Sequence, residues 1–140
     1  MGNLADIFAI YPHPEFMEAL LKGGMSANVK PEGRPIILLA ADDSYIDILQ
    51  TLVKYGANVN LTSSLGETAL IRALISNQLK AVKWLLNKNA DPNLKQNNGQ
   101  GFMEIIDRMI LNNPAGEQKN KLIEIKKLAI EKGGIPYQNK

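Results

Sequence analysis

The stretch LVKYGANVN at residues 52–60 is the middle copy of a phrase that this chain contains three times. The other copies are LLKGGMSAN at residues 20–28 and LLNKNADPN at residues 85–93. Each copy has an apolar pair, a short polar step, a Gly or Asn, and then a turn. A phrase that recurs at a near-constant interval indicates a protein built from stacked structural repeats.

A second marker has the same period, because Gly33, Gly66 and Gly99 lie 33 residues apart. A repeat of about 33 residues is typical of stacked helix pairs. We therefore predict an all-α solenoid of about four helix-turn-helix units in a single domain, with atypical units capping both ends. The expected units cover residues 1–30, 31–63, 64–96 and 97–140.

The third unit gives the clearest prediction of helices. Thr68 is expected to cap a first helix that ends near Ser76, because its hydroxyl can accept from a free backbone N–H. A second helix is predicted over residues 80–88, with its apolar side chains on one face. Asn89 follows at a position that requires a left-handed backbone, which Asn tolerates.

The outer units are less regular. The first is expected to contain short helices at residues 4–8 and 15–22, separated by Pro12 and Pro14. The fourth is expected to contain helices at residues 102–111 and 121–132. The turn formers at residues 112–117 make the connection between this last pair longer than the equivalent turns upstream.

These features resemble an ankyrin repeat array. The family repeat opens with Gly-x-Thr-Pro-Leu-His, continues with an Ala pair and closes with Gly-Ala and Asn. Residues 66–70 resemble the opening, Ala40 and Ala41 resemble the alanine pair, and residues 56–60 match the close almost letter for letter. The opening His is absent, and apolar contact is expected in its place at Leu38 and Ile71, whereas the fourth unit carries Glu104 there.

The resemblance implies a non-catalytic module that binds another protein through a concave face and loop tips. Tyr45 stands where the family often has His, and it either reaches this face or covers the turn. The variable, partner-binding positions of the family correspond here to Asp42, Asp43, Ser64, Leu65, Glu67, Ile75, Ser76, Asn97, Asn98 and Gln100.

Leu65 and Ile75 are large apolar residues at positions that the pattern does not require to be buried. One interpretation is that they anchor an interface, since apolar residues within a polar rim commonly do so. The other is that Leu65 packs back on its own loop and that the next unit lightly covers Ile75. Asp42, Asp43 and Glu67 would place negative charge beside them, which favours a partner with a basic surface.

Composition argues against an enzyme. The chain of 140 residues has no Cys and a single His, His13, which lies between two prolines and has no evident catalytic partner. No Gly-rich phosphate loop is present, and the adjacent Asp42 and Asp43 are better explained as turn and surface charge than as an acid–base pair. We therefore expect no catalytic residue, no cofactor and no metal.

Several expectations concern the partner and its setting. The N-terminus is a poor signal peptide, and no run approaches the ~18 apolar residues of a membrane span, so we expect a cytoplasmic protein. We also expect a monomer, although Leu65 and Ile75 could equally mediate self-association. A chain this short favours a stoichiometric regulator, such as an inhibitor or an immunity-type protein, over a multi-domain scaffold. The irregular outer units and the long turn at residues 112–117 argue against a purely structural or designed repeat protein. The alternative is a nucleic-acid or anionic-surface binder that uses the lysines of the C-terminal helix: Lys119, Lys121, Lys126, Lys127 and Lys132.

Overall fold

The computed structural model describes residues 13–43 and 45–137, which contain seven α-helices. The helix predicted at residues 4–8 lies outside these described residues. In chain order the helices are α1 (Pro14–Lys22), α2 (Ile36–Asp42), α3 (Ile46–Lys54), α4 (Ala69–Ile75), α5 (Leu79–Asn87), α6 (Phe102–Asn112) and α7 (Glu117–Glu131). The all-helical repeat solenoid predicted from the sequence is confirmed.

The helices form two layers. Helices α2, α4 and α6 pack side by side in an inner layer, and α1, α3, α5 and α7 do the same in an outer layer. Each inner helix also packs against the outer helix that follows it. Leu70 and Leu74 of α4 are fully buried, as are Val82 and Leu85 of α5. The shared core between the layers is what a single helix pair lacks, so neighbouring pairs stabilise each other.

The helix cap and the left-handed residue predicted for the third unit are both present in the structure. The Thr68 hydroxyl accepts a hydrogen bond from the backbone N–H of Ile71 at 3.2 Å and so caps α4. Asn89 ends the second helix of this unit with a φ of 66°, in the left-handed region. Asn77 has a φ of 58° in the tight turn between α4 and α5. These are short-range effects, which explains why the sequence alone reveals them.

The glycines that recur every 33 residues occupy one repeated turn. Gly33, Gly66 and Gly99 have φ values of 82°, 79° and 86°, a left-handed conformation in which a side chain is strained. The N–H of Gly66 donates to the Ser63 carbonyl at 2.9 Å, and the N–H of Gly99 donates to the Gln96 carbonyl at the same distance. The period in the sequence therefore marks a backbone requirement of the loops between units.

The asparagines that close the three phrases form hydrogen bonds between repeats. In each case the side-chain oxygen accepts from a backbone N–H in the closing turn of the next unit. The pairs are Asn28 with Asn58 at 2.7 Å, Asn60 with Asp91 at 2.8 Å, and Asn93 with Ile135 at 2.9 Å. The third of these shows that the fourth unit closes in the same way as the others.

Two details of the outer units differ from prediction. The last helix begins at Glu117, one turn before the predicted start at Lys121, because the stretch from Glu117 onward consists mainly of good helix formers. Its first turn is closed by the N–H of Asn120, which donates to the Gly116 carbonyl at 3.0 Å. Pro14, expected as a break, is the first residue of α1, where a missing N–H has no cost.

The fourth unit has charged residues where the third has apolar ones. Leu38 and Ile71 are fully buried, as expected for residues that replace the polar contact of the opening His. At the positions 33 residues after Ile71 and Leu74, the chain carries Glu104 and Asp107, which are only partly buried. Each of these carboxylates has an ion pair, Glu104 with Lys95 at 3.0 Å and Asp107 with Lys126 at 2.6 Å. A polar outer surface of this kind suits a terminal repeat.

Candidate functional site

Two exposed apolar side chains lie near the opposite ends of α4. Leu65 stands in the loop before the helix and is 66% exposed, whereas Ile75 is the last helical residue and is 44% exposed. Leu65 is therefore largely open to solvent, whereas more than half of Ile75 is covered by its surroundings. These two side chains are candidate anchors because the rest of α4 is largely buried in the stack.

Arg72 connects three of the predicted site residues. Its Nε donates to Asp42 Oδ1 at 2.8 Å, and its Nη1 donates to Glu67 Oε2 at 3.3 Å. Its Nη2 donates to the Ser76 hydroxyl at 3.0 Å, and that hydroxyl also donates to Asp42. We call these four residues the Arg72 cluster. It ties the end of α2 to α4, and so it joins two neighbouring units.

The sequence did not reveal the role of Arg72. The side chain is 25% exposed and that of Glu67 is 12% exposed, so this ion pair is partly shielded from water. One guanidinium therefore offsets part of the negative charge predicted for Asp42, Asp43 and Glu67, and the group keeps a formal charge of −2. The sequence feature that could have indicated this role is an arginine within the otherwise apolar helix ALIRALI. Such a side chain reaches the edge of the stack and needs a hydrogen-bond acceptor there.

The loop that carries Leu65 is fixed by the next loop along the chain. The backbone N–H of Asn97 donates to the Leu65 carbonyl at 2.9 Å, and its Nδ2 donates to the Ser64 carbonyl at 2.8 Å. A Cβ added to Gly66 would lie 2.9 Å from Asn97 Oδ1, so the two loops approach closely. The backbone on which Leu65 stands is therefore ordered by its neighbour.

The remaining predicted residues have more local contacts. The Asn98 side chain accepts from the backbone N–H of Gln100 at 2.9 Å, within one loop. Tyr45 is half-buried and packs against the hydrophobic core. Asp43 is exposed directly after α2. We call the surface formed by the Arg72 cluster together with Asp43, Ser64, Leu65, Ile75 and Asn97 the inner face.

The lysines of α7 are not one uniform positive surface. Lys126 pairs with Asp107 at 2.6 Å, and Lys121 pairs with Glu117 at 3.3 Å. Lys119, Lys127 and Lys132 have no ion pair with the part of the chain that the structure describes. The alternative site predicted at this helix therefore has a reduced positive charge.

His13 is exposed and precedes α1. Within residues 13–43 and 45–137, no three His, Asp or Glu side chains are grouped closely enough to hold a metal ion. None of the helices described is both long enough and apolar enough to cross a membrane.

Comparison with known proteins explains the repeated geometry. A family model for ankyrin repeats in three copies matches residues 6–96, more than half of the chain. The chain belongs to the ankyrin-repeat family. Ankyrin repeats are generally modules for protein–protein interaction, and the family's proteins are typically non-enzymatic.

Two relatives illustrate the similarity. The chain is 31% identical over 91 residues to the ankyrin repeat and KH domain-containing protein mask-1 of Caenorhabditis elegans. The matched segment covers 64% of this chain and 4% of that relative. It is 32% identical over 110 residues to the ankyrin repeat and SAM domain-containing protein 6 of Rattus norvegicus. Here the matched segment covers 77% of this chain and 12% of the relative. The similarity is therefore to the ankyrin segments of much longer proteins.

Proposed function

We propose that this ankyrin-repeat chain binds another protein through its inner face and loop tips. The observation that carries the proposal is the pair of exposed apolar side chains, Leu65 and Ile75, on either side of the Arg72 cluster. Binding energy in protein interfaces is concentrated in a few large side chains surrounded by polar groups that exclude water. Leu65 and Ile75 have that setting.

The rigidity of the inner face supports the same proposal. Hydrogen bonds from Asn97 hold the backbone at Ser64 and Leu65, and the Arg72 cluster holds the ends of α2 and α4. A surface that is ordered before binding loses less conformational entropy when the partner arrives. We therefore expect little backbone movement of this face on association.

The charge of the inner face favours a basic partner. Three carboxylates, those of Asp42, Asp43 and Glu67, outnumber the single guanidinium of Arg72. The carboxylate of Asp43 is exposed and is a candidate contact for a lysine or arginine of the partner. A surface of this kind acts by occupying its partner, so we propose a stoichiometric regulator, an inhibitor or an immunity-type protein.

The proposal is tested by quantitative affinity capture from a lysate of the source organism. The wild type is compared with a Leu65→Asp/Ile75→Lys variant of the inner face. The matched control is Leu111→Asp/Ile130→Lys, which makes the same kinds of change at exposed apolar residues outside this face. Circular dichroism establishes that all three proteins have the same helix content.

We expect a protein that the wild type and the control capture in equal amounts and that the inner-face variant loses. Retention of that protein by the inner-face variant, with loss by the control, would assign binding to the α6 and α7 end of the stack. Capture of no protein by any of the three would contradict stable protein binding.

A further inference from the structure

The last helix pair is longer than the pairs before it, and this creates a notch. Helix α7 has 15 residues whereas α5 has 9, and α6 has 11 whereas α4 has 7. The first turns of α7 therefore stand beside the α4–α5 turn and the start of α5. The space between them, which we call the notch, has a volume of about 440 Å³. Because the extra length belongs to the fourth unit, the 33-residue pattern does not reveal it.

The walls of the notch are positively charged. Lys80 and Lys83 of α5 and Lys121 of α7 line it, against one lining carboxylate, that of Glu124. Lys80 and Lys83 are exposed, and neither has an ion pair within the residues that the structure describes. Lys121 pairs only with Glu117, whose side chain is 83% exposed, and exposed pairs of this kind are weak.

Side-chain amides provide the remaining polar groups of the notch. Gln118 Nε2 donates to Asn77 Oδ1 at 2.8 Å, which fixes the start of α7 against the α4–α5 turn. The amide of Gln78 also lines the space. Amides both donate and accept, as does a peptide backbone. Among the residues that the structure describes, none that lines the notch is aromatic or an arginine, the groups that usually stack on the bases of single-stranded nucleic acids.

We propose that the notch is a second docking site, separate from the inner face, and that it takes an extended acidic segment of a partner protein. The carboxylates of that segment contact Lys80, Lys83 and Lys121, and its backbone contacts the amides of Asn77 and Gln78. Charge complementarity selects an anionic occupant, and the amide lining favours a peptide over a nucleic acid. Neither Leu65 nor Ile75 lines the notch, so binding at the notch can be tested separately from binding at the inner face.

The test uses the full chain labelled with ¹⁵N and a synthetic peptide of eight glutamates. Amide chemical shifts are followed by NMR during titration, in the wild type and in a Lys80→Glu/Lys83→Glu variant. The matched control is Lys30→Glu/Lys127→Glu, which reverses two exposed lysines outside the notch and changes the net charge equally. A dodecamer of thymidylate is titrated in parallel.

We expect the peptide to shift amides at residues 77–83 and 117–124 of the wild type and of the control. In the Lys80→Glu/Lys83→Glu variant its affinity should fall at least about tenfold, because two attractive charges become repulsive. A Leu65→Ser/Ile75→Ser variant, which changes both inner-face anchors without adding charge beside the notch, should bind the peptide as the wild type does.

Three results would overturn the proposal. Equal losses in the variant and in the control would mean a general attraction to net charge. Tighter binding of the thymidylate at the same amides would make the notch a nucleic-acid site. An absence of localised shifts in the wild type would mean that the notch does not dock acidic peptides.

Discussion

The side-chain oxygen of Asn60 accepts a hydrogen bond at 2.8 Å from the backbone N–H of Asp91, in the next repeat of the stack. Asn93 makes the equivalent bond to Ile135 at 2.9 Å, and its Nδ2 also donates to the Gly133 carbonyl at 2.9 Å. A polar connection that recurs between neighbouring units therefore lies at the closing Asn of each phrase. Of the opening positions where the family has His, Leu38 and Ile71 contribute apolar contact, whereas Glu104 forms an ion pair with Lys95.

The two asparagines should respond differently to the same substitution. Asn60→Asp keeps the acceptor that Asp91 uses, so we expect little change in the free energy of unfolding. Asn93→Asp keeps the acceptor but removes the donor and places a carboxylate oxygen against the Gly133 carbonyl. We expect a loss of about 1 kcal/mol, measured by urea denaturation at neutral pH. Equal losses in the two variants would contradict this account.

The Arg72 cluster should be important for stability as well as for the inner face. Arg72→Met keeps an apolar stem but leaves the largely buried carboxylate of Glu67 without its partner. We expect the free energy of unfolding to fall by about 1–3 kcal/mol, as for a partly buried ion pair that loses one member. The measurement is again urea denaturation followed by circular dichroism.

A double variant separates the effect of losing the Glu67–Arg72 ion pair from the effect of losing the packing of the Arg72 side chain. Glu67→Gln/Arg72→Met removes the uncompensated charge, so this double variant should be more stable than Arg72→Met alone. The single variant Glu67→Gln is measured as well. If the loss of the double variant equals the sum of the losses of Arg72→Met and Glu67→Gln, the guanidinium contributes mainly through its other contacts.

The sequence predicted features that depend on neighbouring residues, and it missed those that depend on stacking. Thr68 and Asn89 act within one turn of the chain, so the cap and the left-handed residue were predictable. Arg72 meets Asp42 across 30 positions, and only the packing of α4 on α2 determines that contact. The early start of α7 at Glu117 was missed because the prediction extended a turn-forming stretch over residues with good helix propensity.

Gly66 and Gly99 provide a test of loop packing in the stack. Both have a left-handed φ, so a change to Ala has a similar backbone cost at each, about 1–2 kcal/mol. At Gly66 the added Cβ would also lie 2.9 Å from Asn97 Oδ1 and 3.1 Å from Gln96 Cα, whereas at Gly99 nothing lies within 4 Å. We therefore expect Gly66→Ala to destabilise the chain by about 1 kcal/mol more than Gly99→Ala.

Thermal unfolding of the two variants measures this difference, and NMR shows whether the amide of Asn97 loses its bond to Leu65. Equal melting temperatures would mean that the two loops separate without cost. In that case the loop that contains Asn97 does not order the backbone at Leu65 of the inner face.

The first two units are joined by a contact that should make stability depend on pH. Tyr55 Oη donates to Glu18 Oε1 at 3.0 Å, and Lys54 Nζ donates to the same oxygen at 3.2 Å. The Tyr55 hydrogen bond, followed by the hydrogen bond and charge of Lys54, holds the pKa of Glu18 below its ordinary value. A lowered pKa means that the folded protein binds this proton less readily than the unfolded chain.

The stabilisation by Glu18 is therefore present above the ordinary pKa of a glutamate and is lost as the pH falls through the lowered value. We expect Glu18→Gln to be less stable than the wild type at neutral pH. The difference should shrink as the pH falls below the ordinary pKa of a glutamate, and the two stabilities should converge below the lowered pKa of Glu18. Tyr55→Phe removes the largest cause of the shift but keeps Lys54, so its pH profile should lie between the two. Urea denaturation across this pH range is the measurement, and parallel profiles for all three proteins would show that Glu18 does not couple the first two units to pH.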